Sequence, residues 1–437
     1  MYLAYRQDQF YKDVGTGRQL FIDDDVVAVV KNVTRRLHRP VKHPLNPLMQ
    51  RDRPWEVVLN FRTNTFSVVR DPQDGLFKCW YEDYYDSFGQ DKSKLFEGNR
   101  VYYAQSSDGL HWEKPPLGRH FVDGHNTNTV FSPPHEHASD CGIILDPADP
   151  DPTRRFKMVY YHRVQNINVP KKNPFNRHAG GLCLAVSANG LDWTAYPGNP
   201  IFPSWGGDVE ILSYDPIDRH YVMYGRYGGY AGFAEHPEFD RWFAPVWPGK
   251  PEGVWSTRRR IYRTTSPDCV QWSKPQLWFE AGPDDNLDDG MYGFITWRAD
   301  EFYLGFLNVL HQVDNVMEFY LLHSRDGLTW RRLQDHRAYV PRGGPASFDQ
   351  FGAETPVPPI DVGDELWVYF GGAKNHHDGG TSGSGKSWTC ERRGAGTTWG
   401  ITSAWPNCDA MGSCRWAQTA CARASYRPSR SRPAARG

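Results

Sequence analysis

Residues 106–112 read SSDGLHW, and three later stretches repeat the pattern: SANGLDW at 187–193, SPDCVQW at 266–272 and SRDGLTW at 324–330. Their leading serines stand 81, 79 and 58 residues apart. The copies follow alternating apolar runs such as RVYYAQ, GLCLAV and EFYLLH. Asp-Gly and Asn-Gly supply the positive φ of a tight hairpin turn, and the Trp then opens the next strand and packs beneath the turn. Asp108, Asn189, Asp268 and Asp326 are therefore read as turn formers. Cys269 replaces the glycine of the third copy, so a different turn is expected there.

A second element recurs five times upstream of these turns, as a tight turn followed by an aromatic-rich strand: RDPQDGLFKCWYED, LDPADPDPTRRFKMVYYH, YDPIDRHYVMYGR, TWRADEFYLGFLN and PIDVGDELWVYFGG. Asp-Pro pairs at 71–72, 146–147 and 215–216 mark three of the turns. Ahead of each turn lies another apolar strand (FSVV, GIIL, EILSY, YGFIT and a weaker TPVPPI). Strand, turn, strand, loop, strand, DG-turn, strand is the plan of a propeller blade. The expected fold is all-β, a five-bladed β-propeller of four-stranded antiparallel blades near 45–115, 125–200, 205–275, 285–335 and 345–378, forming one domain over 1–378. No amphipathic helix is apparent. From Gly379 onward the alternation gives way to Gly, Ser, Arg, Ala and Cys, which reads as a disordered or non-native tail over 379–437. The last blade then lacks its own DG-turn. It is incomplete, or it is closed by an N-terminal strand at 20–30 (LFIDDDVVAVV).

Bulk properties narrow the function. A net charge of −1 argues against nucleic acid as the main partner, because phosphate binding needs a basic excess. No apolar run approaches the roughly 18 residues of a membrane span. The first residues, MYLAYRQDQFYKDVG, lack the basic start and apolar core of a signal peptide. The expected location is cytoplasmic, or periplasmic or secreted if a leader has been removed. Eight cysteines without a C-x-x-C pair indicate neither a zinc site nor a disulfide framework. The 17 Trp and 23 Tyr suit a β core or a sugar-stacking surface.

In a propeller the innermost strand of each blade lines the central channel, so residues just ahead of the turns face a shared axial pocket. Counting back from the aromatic strand, Asp208 lies 13 residues before Tyr221, Asp289 13 before Phe302 and Glu354 12 before Leu366. Asp140 lies 16 before Phe156, across a longer turn, and Asn64 13 before Phe77. Glu56 enters the first blade from upstream, and Glu210 follows Asp208 by one turn of the strand alternation. Carboxylates gathered in one pocket repel, which drives their pKa values apart. One then serves as acid while another stays ionised, as glycosidic bond cleavage requires. The alternative for each residue singly is a strand-end cap.

The blade pattern, the S-x-D-G-x-x-W turns and the axial acids resemble the five-bladed propeller glycoside hydrolases of the arabinanase, invertase and levansucrase group. The opening HPLNPLMQRDRPWE (43–56) also resembles the start seen in that group and in the related mannoside phosphorylases. The likeness covers roughly 18–378. It implies an Asp base or nucleophile in blade one, a stabilising Asp in blade two and a Glu acid in blade three. By position these fall on Asn64 (with Glu56 the nearby acid), on Asp140, and on Asp208 and Glu210. Asn64 departs from the family pattern. The resemblance also implies that an axial calcium can sit near His376 or His377, although the chemistry requires no cofactor. Further substrate contacts are expected from Trp205, Trp297, Tyr292, His376 and an inward arginine of the RRRIYR strand, such as Arg260. A metal at His135 and His137 is the less favoured reading of the HEH segment. The expected activity is hydrolysis of a glycosidic bond in an oligo- or polysaccharide. Asp208 or Glu210 is the general acid and Asp140 orients it. The alternatives are a glycoside phosphorylase and a non-catalytic carbohydrate-binding propeller.

Overall fold

A computed structural model describes residues 20–56, 59–84, 99–132, 138–162, 181–202, 209–226, 259–286, 288–333, 337–377 and 397–403. Nearly all regular structure there is antiparallel β-sheet, with one 3-10 turn at Pro152–Arg154. The sheets follow chain order. In the first, Phe66–Arg70 pairs with Phe77–Tyr84, which pairs with Asn99–Ser106. The second runs Ala138–Leu145, Phe156–His162, Gly181–Ser187, Thr194–Ala195. The third runs Glu210–Asp215, His220–Gly225, Ile261–Ser266, Gln276–Phe279. Next come Asp289–Ala299, Phe302–His311, Val316–Ser324 and Arg331–Arg332. This group joins Gly352–Glu354, Ile360–Val362, Glu365–Ala373, Thr397–Ser403 and Val41–Lys42 in one nine-stranded sheet. A single parallel pair, Met317 with Gly352, links the two groups.

The repeated turns form as their residue types require. Asp108 Oδ1 accepts the amides of Leu110 and His111 at 2.8 Å each. Ser106 Oγ takes the amide of Gly109 at 2.8 Å, and the Trp112 indole donates to the Gly109 carbonyl at 3.0 Å. The copies at 187–193 and 324–330 repeat every one of these bonds. The third copy was expected to differ and does not differ in its backbone. Cys269 adopts φ +64°, fully buried, where the others place glycine. Asp268 still accepts from Val270 and Gln271. This copy differs in its bonds: the Cys269 amide is not bonded to Ser266 Oγ, and the buried Trp272 indole nitrogen has no hydrogen-bond acceptor.

Neighbouring sheets are welded by apolar clusters and latched through these turns. Trp80 and Tyr103 of the first sheet pack on Phe156 and Met158 of the second. Tyr161 and Leu184 meet Tyr221 and Met223 of the third, and Tyr224 and Ile261 meet Phe294 and Leu307. Phe306 and Phe319 meet Phe370. Trp367 and Tyr369 meet Phe77 and Tyr81, so the last strands return to the first sheet. The Trp80 indole donates to the Gly190 carbonyl at 2.7 Å, Arg154 to that of Asp268 at 3.0 Å, and Tyr369 to that of Gly109 at 3.1 Å. Each bond runs from one sheet into the DG-turn of the next, including the return from the end of the chain to its beginning.

Three boundaries differ from expectation. Residues 20–30 form turns and bends, not a strand; Leu20 packs on Phe302 instead. The N-terminal edge strand is Val41–Lys42, opposite Ser403 and Thr402. Thr397–Ser403, inside the expected tail, pairs along its whole length with Trp367–Ala373. The remaining tail residues, 378–396 and 404–437, lie outside the described residues. Finally, the first sheet continues past residue 115, because Thr129–Phe131 pairs with Val101 and Tyr102.

Candidate functional site

The first strands of the sheets converge at the centre. A Cβ on Gly142 would stand 2.8 Å from the Glu210 carbonyl, and one on Gly293 would strike Thr63 and come within 2.9 Å of Ile211. A small cavity opens at this crossing, lined by Asn64, Ser67, Cys141, Gly142, Glu210 and Pro356 among others. Asn64 and Glu210, both expected to be axial, are thus brought together, and both are buried. Ser67 and Glu82 tie the first sheet to the second here. Ser67 Oγ accepts the Ile143 amide at 3.0 Å and Glu82 Oε1 the Cys141 amide at 2.6 Å.

Glu354 arrives from the last sheet and is buried against the segment that carries Asn64. Its Oε2 accepts from the hydroxyl of Thr63 at 2.6 Å and from its amide at 3.2 Å, and Arg62 stands 3.8 Å from Oε1. Asp140 lies in the strand Ala138–Leu145, immediately before cavity-lining Cys141; its side chain is outside the described residues, as are all of Asp208, Trp205, His135 and His137.

Glu56 is not drawn to the axis. It is fully buried, and its oxygens accept from Tyr81, Lys114 and the amides of Asp52 and Arg53 at 2.7–3.1 Å. Its acceptor positions are filled by these four donors, so it anchors the entry segment.

Asp289 also falls out of line. It pairs with His311, nine residues beyond Phe302. Glu210 pairs with Gly225, four beyond Tyr221, and Glu354 with Gly371, five beyond Leu366. Counting along the chain ran through turns of unequal length, and the short turn at Asp300–Glu301 pushed Asp289 further along its strand. Gly293 occupies the level of the cavity instead. Asp289 forms its own cluster. Its Oδ1 is 2.7 Å from His311 Nδ1, whose other nitrogen stands 3.1 Å from Tyr320 Oη and 3.5 Å from Glu318. Burial opposes the imidazolium, but the bonds to Asp289 and Glu318 prevail and push His311 up to about 9. The same partnership holds Asp289 below its ordinary value against the effect of burial.

The remaining expected contacts scatter. Trp297 packs on Phe306, ring centroids 4.6 Å apart, within the apolar layer between the last two strand groups. Arg260 points to the outer edge of its sheet, 3.2 Å from Glu280. His376 bonds the Asp314 carbonyl at 2.9 Å and packs on Phe351 with the rings tilted 41°. Tyr292 alone joins a polar group. The guanidinium carbons of Arg226 and Arg259 lie 4.9 and 4.6 Å from its ring centroid, and its hydroxyl is 2.8 Å from His377 Nε2. Glu82 and Asp83, both buried, were missed as candidates. Their signal was present in FKCWYED, where two acids directly follow the apolar run Cys79–Tyr81.

No family model matches the chain, and no curated protein sequence matches it. Solved structures similar to it include an N-acetylgalactosamine deacetylase from F. plautii in complex with blood group B trisaccharide. It is 11% identical with a TM-score of 0.48, over 84% of this chain and 94% of that one. A Bombyx mori GH32 β-fructofuranosidase is 13% identical with a TM-score of 0.45, over 84% of this chain and 62% of that one. A thermostable family-43 glycoside hydrolase is 12% identical with a TM-score of 0.46, over 83% and 98%.

Proposed function

We propose that the chain is a five-bladed β-propeller glycoside hydrolase that cleaves an oligo- or polysaccharide at its axial pocket. The observation that carries this reading is the convergence of buried acids from separate sheets on one crossing point. Glu210 and Asn64 line the cavity, Glu82 is bonded to cavity-lining Cys141, and Glu354 is bonded to Thr63 beside Asn64. Burying several carboxyl groups together is costly unless function or full pairing compensates. The five sheet-to-sheet clusters, closing from Tyr369 back to Phe77, support the ring. Glu210, or Asp208 two residues before it, gives its proton to the departing glycosidic oxygen, and Asp140 orients that acid. Glu354, with Arg62 and Thr63 around it, stabilises positive charge developing on the sugar, and water adds to the anomeric carbon as the glycosidic bond breaks, its released proton restoring the acid. The reaction needs no cofactor. Glu210→Gln and Asp208→Asn, assayed on a panel of aryl glycosides and oligosaccharides, test the assignment; full hydrolysis in both variants would refute it.

A glycoside phosphorylase is a second reading, favoured by the Arg226, Arg259, Tyr292 and His377 group. Two guanidinium groups on one phenol with a histidine behind it suit an oxyanion such as phosphate. Sugar phosphate released only when inorganic phosphate is added would select this reading over hydrolysis.

A further inference from the structure

The motif D-P-x-D occurs three times, at 71–74 (DPQD), 146–149 (DPAD) and 215–218 (DPID). In the first two copies a buried lysine from the following strand lies between the two carboxylates. Lys78 Nζ is 2.6 Å from Asp71 and 2.8 Å from Asp74. Lys157 Nζ is 3.0 Å from Asp146 and 2.7 Å from Asp149. The third turn has the same build as the first. Asp71–Leu76 and Asp215–His220 are equal in length. The first aspartate accepts the amide two residues on in both, at 3.0 Å from Gln73 and 2.9 Å from Ile217. Gly75 and Arg219, at matching positions, both have positive φ, +75° and +54°.

The cation is what differs. Phe77-Lys78 and Phe156-Lys157 align with Tyr221-Val222, so an isopropyl group stands where the ammonium stood. No lysine or arginine among the described residues forms an ion pair with Asp215 or Asp218. A histidine enters instead. His220 is the cross-strand partner of Asp215, which places both side chains on one face of the sheet. Donor atoms of Asp215, Asp218 and His220 all lie within 4.8 Å of one another. His220 Nε2 is buried and has no hydrogen-bond partner.

We propose that this third turn binds a divalent transition-metal ion, Zn2+ being the type case, through Asp215, Asp218 and His220, in place of the lysine ammonium of its two sister turns. The imidazole donor selects against calcium and magnesium, which take oxygen ligands. Zinc accepts one imidazole and two carboxylates at about 2.0–2.2 Å, with water completing the shell. Small side-chain rotations in a turn that is half exposed bring the donors from their present spacing to those distances. The site lies on the hairpin end of the third sheet, away from the axial cavity, so its role is to fasten that turn.

Chelator-treated full-length protein titrated with ZnCl2 by calorimetry tests the proposal. One saturable equivalent is expected. His220→Gln and Asp218→Asn should each weaken it at least about tenfold, the order lost when even a supporting partner of a metal ligand is removed. Val222→Lys should abolish it, because the new ammonium takes the place that Lys78 and Lys157 hold in the sister turns. Absence of saturable binding, or zinc binding unchanged in both His220→Gln and Asp218→Asn, would overturn the proposal. Those two substitutions lie at a partly exposed turn and decide the matter even if Val222→Lys fails to fold.

Discussion

Gly190→Ala is the sharpest probe of how the sheets are joined. Gly190 has φ +77° and sits at the heart of the second S-x-D-G-x-x-W-type turn. A Cβ there would stand 2.5 Å from Cζ2 of Trp80, which belongs to the first sheet and is almost wholly buried. The left-handed backbone alone costs an alanine about 1–2 kcal/mol. Forcing a methyl into a packed interface adds about 1–3 kcal/mol. Displacing Trp80 also strains its 2.7 Å bond to the Gly190 carbonyl, a net contribution of about 1 kcal/mol. The expected loss is therefore about 3–6 kcal/mol. Gly75→Ala is the matched control. Its φ is +75°, but nothing lies within 4 Å of the added Cβ, so only the backbone cost of about 1–2 kcal/mol applies. Urea unfolding of both variants measures the difference. If Gly190→Ala loses no more than Gly75→Ala, the DG-turns do not seat against the preceding sheet.

Other outcomes follow from the buried charges. The stabilisation that His311 draws from its cation is fully present below its unfolded value of 6.5 and is lost as pH rises through about 9. The shift corresponds to about 3 kcal/mol. Asp289→Asn should flatten that alkaline decline, and an NMR titration should find His311 moved back toward 6.5; an unmoved titration would contradict the cluster. Asp71 is buried between Lys78 and Arg155. Asp71→Asn should cost about 3–5 kcal/mol by leaving buried Arg155 without its counterion and Lys78 with Asp74 alone, read as a lower urea midpoint at unchanged m-value. Burial works to raise the Asp71 carboxyl, but bonds from Arg155 and Lys78 win and hold it well below the usual carboxylate range. Its contribution is accordingly complete at neutral pH and fades on strong acidification. Tyr369→Phe removes the donor to Gly109 at the closure between last and first strands and should cost about 1 kcal/mol.

The strand units were legible because short-range chemistry writes them. Asp-Gly and Asn-Gly turns, Asp-Pro turns and alternating aromatic strands depend on neighbours a few residues apart. Closure depends on residues far apart and left little trace. Val41–Lys42 is too short to show periodicity, and the Thr397–Ser403 strand lies in a Gly- and Ser-rich setting. The LFIDDDVVAVV stretch looked more strand-like than either, yet three successive aspartates favour turns, and Asp23 is engaged by Arg325. Glu210 and Asn64, both expected at the axis, line one cavity, and their turns are of ordinary length. Asp289 was displaced because hydrogen-bond register counts residue pairs across the strands, not residues through the turn. Glu56 drew attention as an acid near the first blade. Its four donors, one of them Lys114 from well downstream in the chain, explain its burial without catalysis.

The axial pocket itself is tested most directly by one assay. Glu210→Gln keeps shape and hydrogen-bonding capacity while removing the acidic proton. With the fold verified by an unchanged urea midpoint, the proposed hydrolysis predicts that kcat on a glycoside substrate falls by about 100-fold or more in Glu210→Gln or in the companion Asp208→Asn, the scale of general acid catalysis, with KM little changed. Turnover at the parent rate in both Glu210→Gln and Asp208→Asn would contradict the central claim.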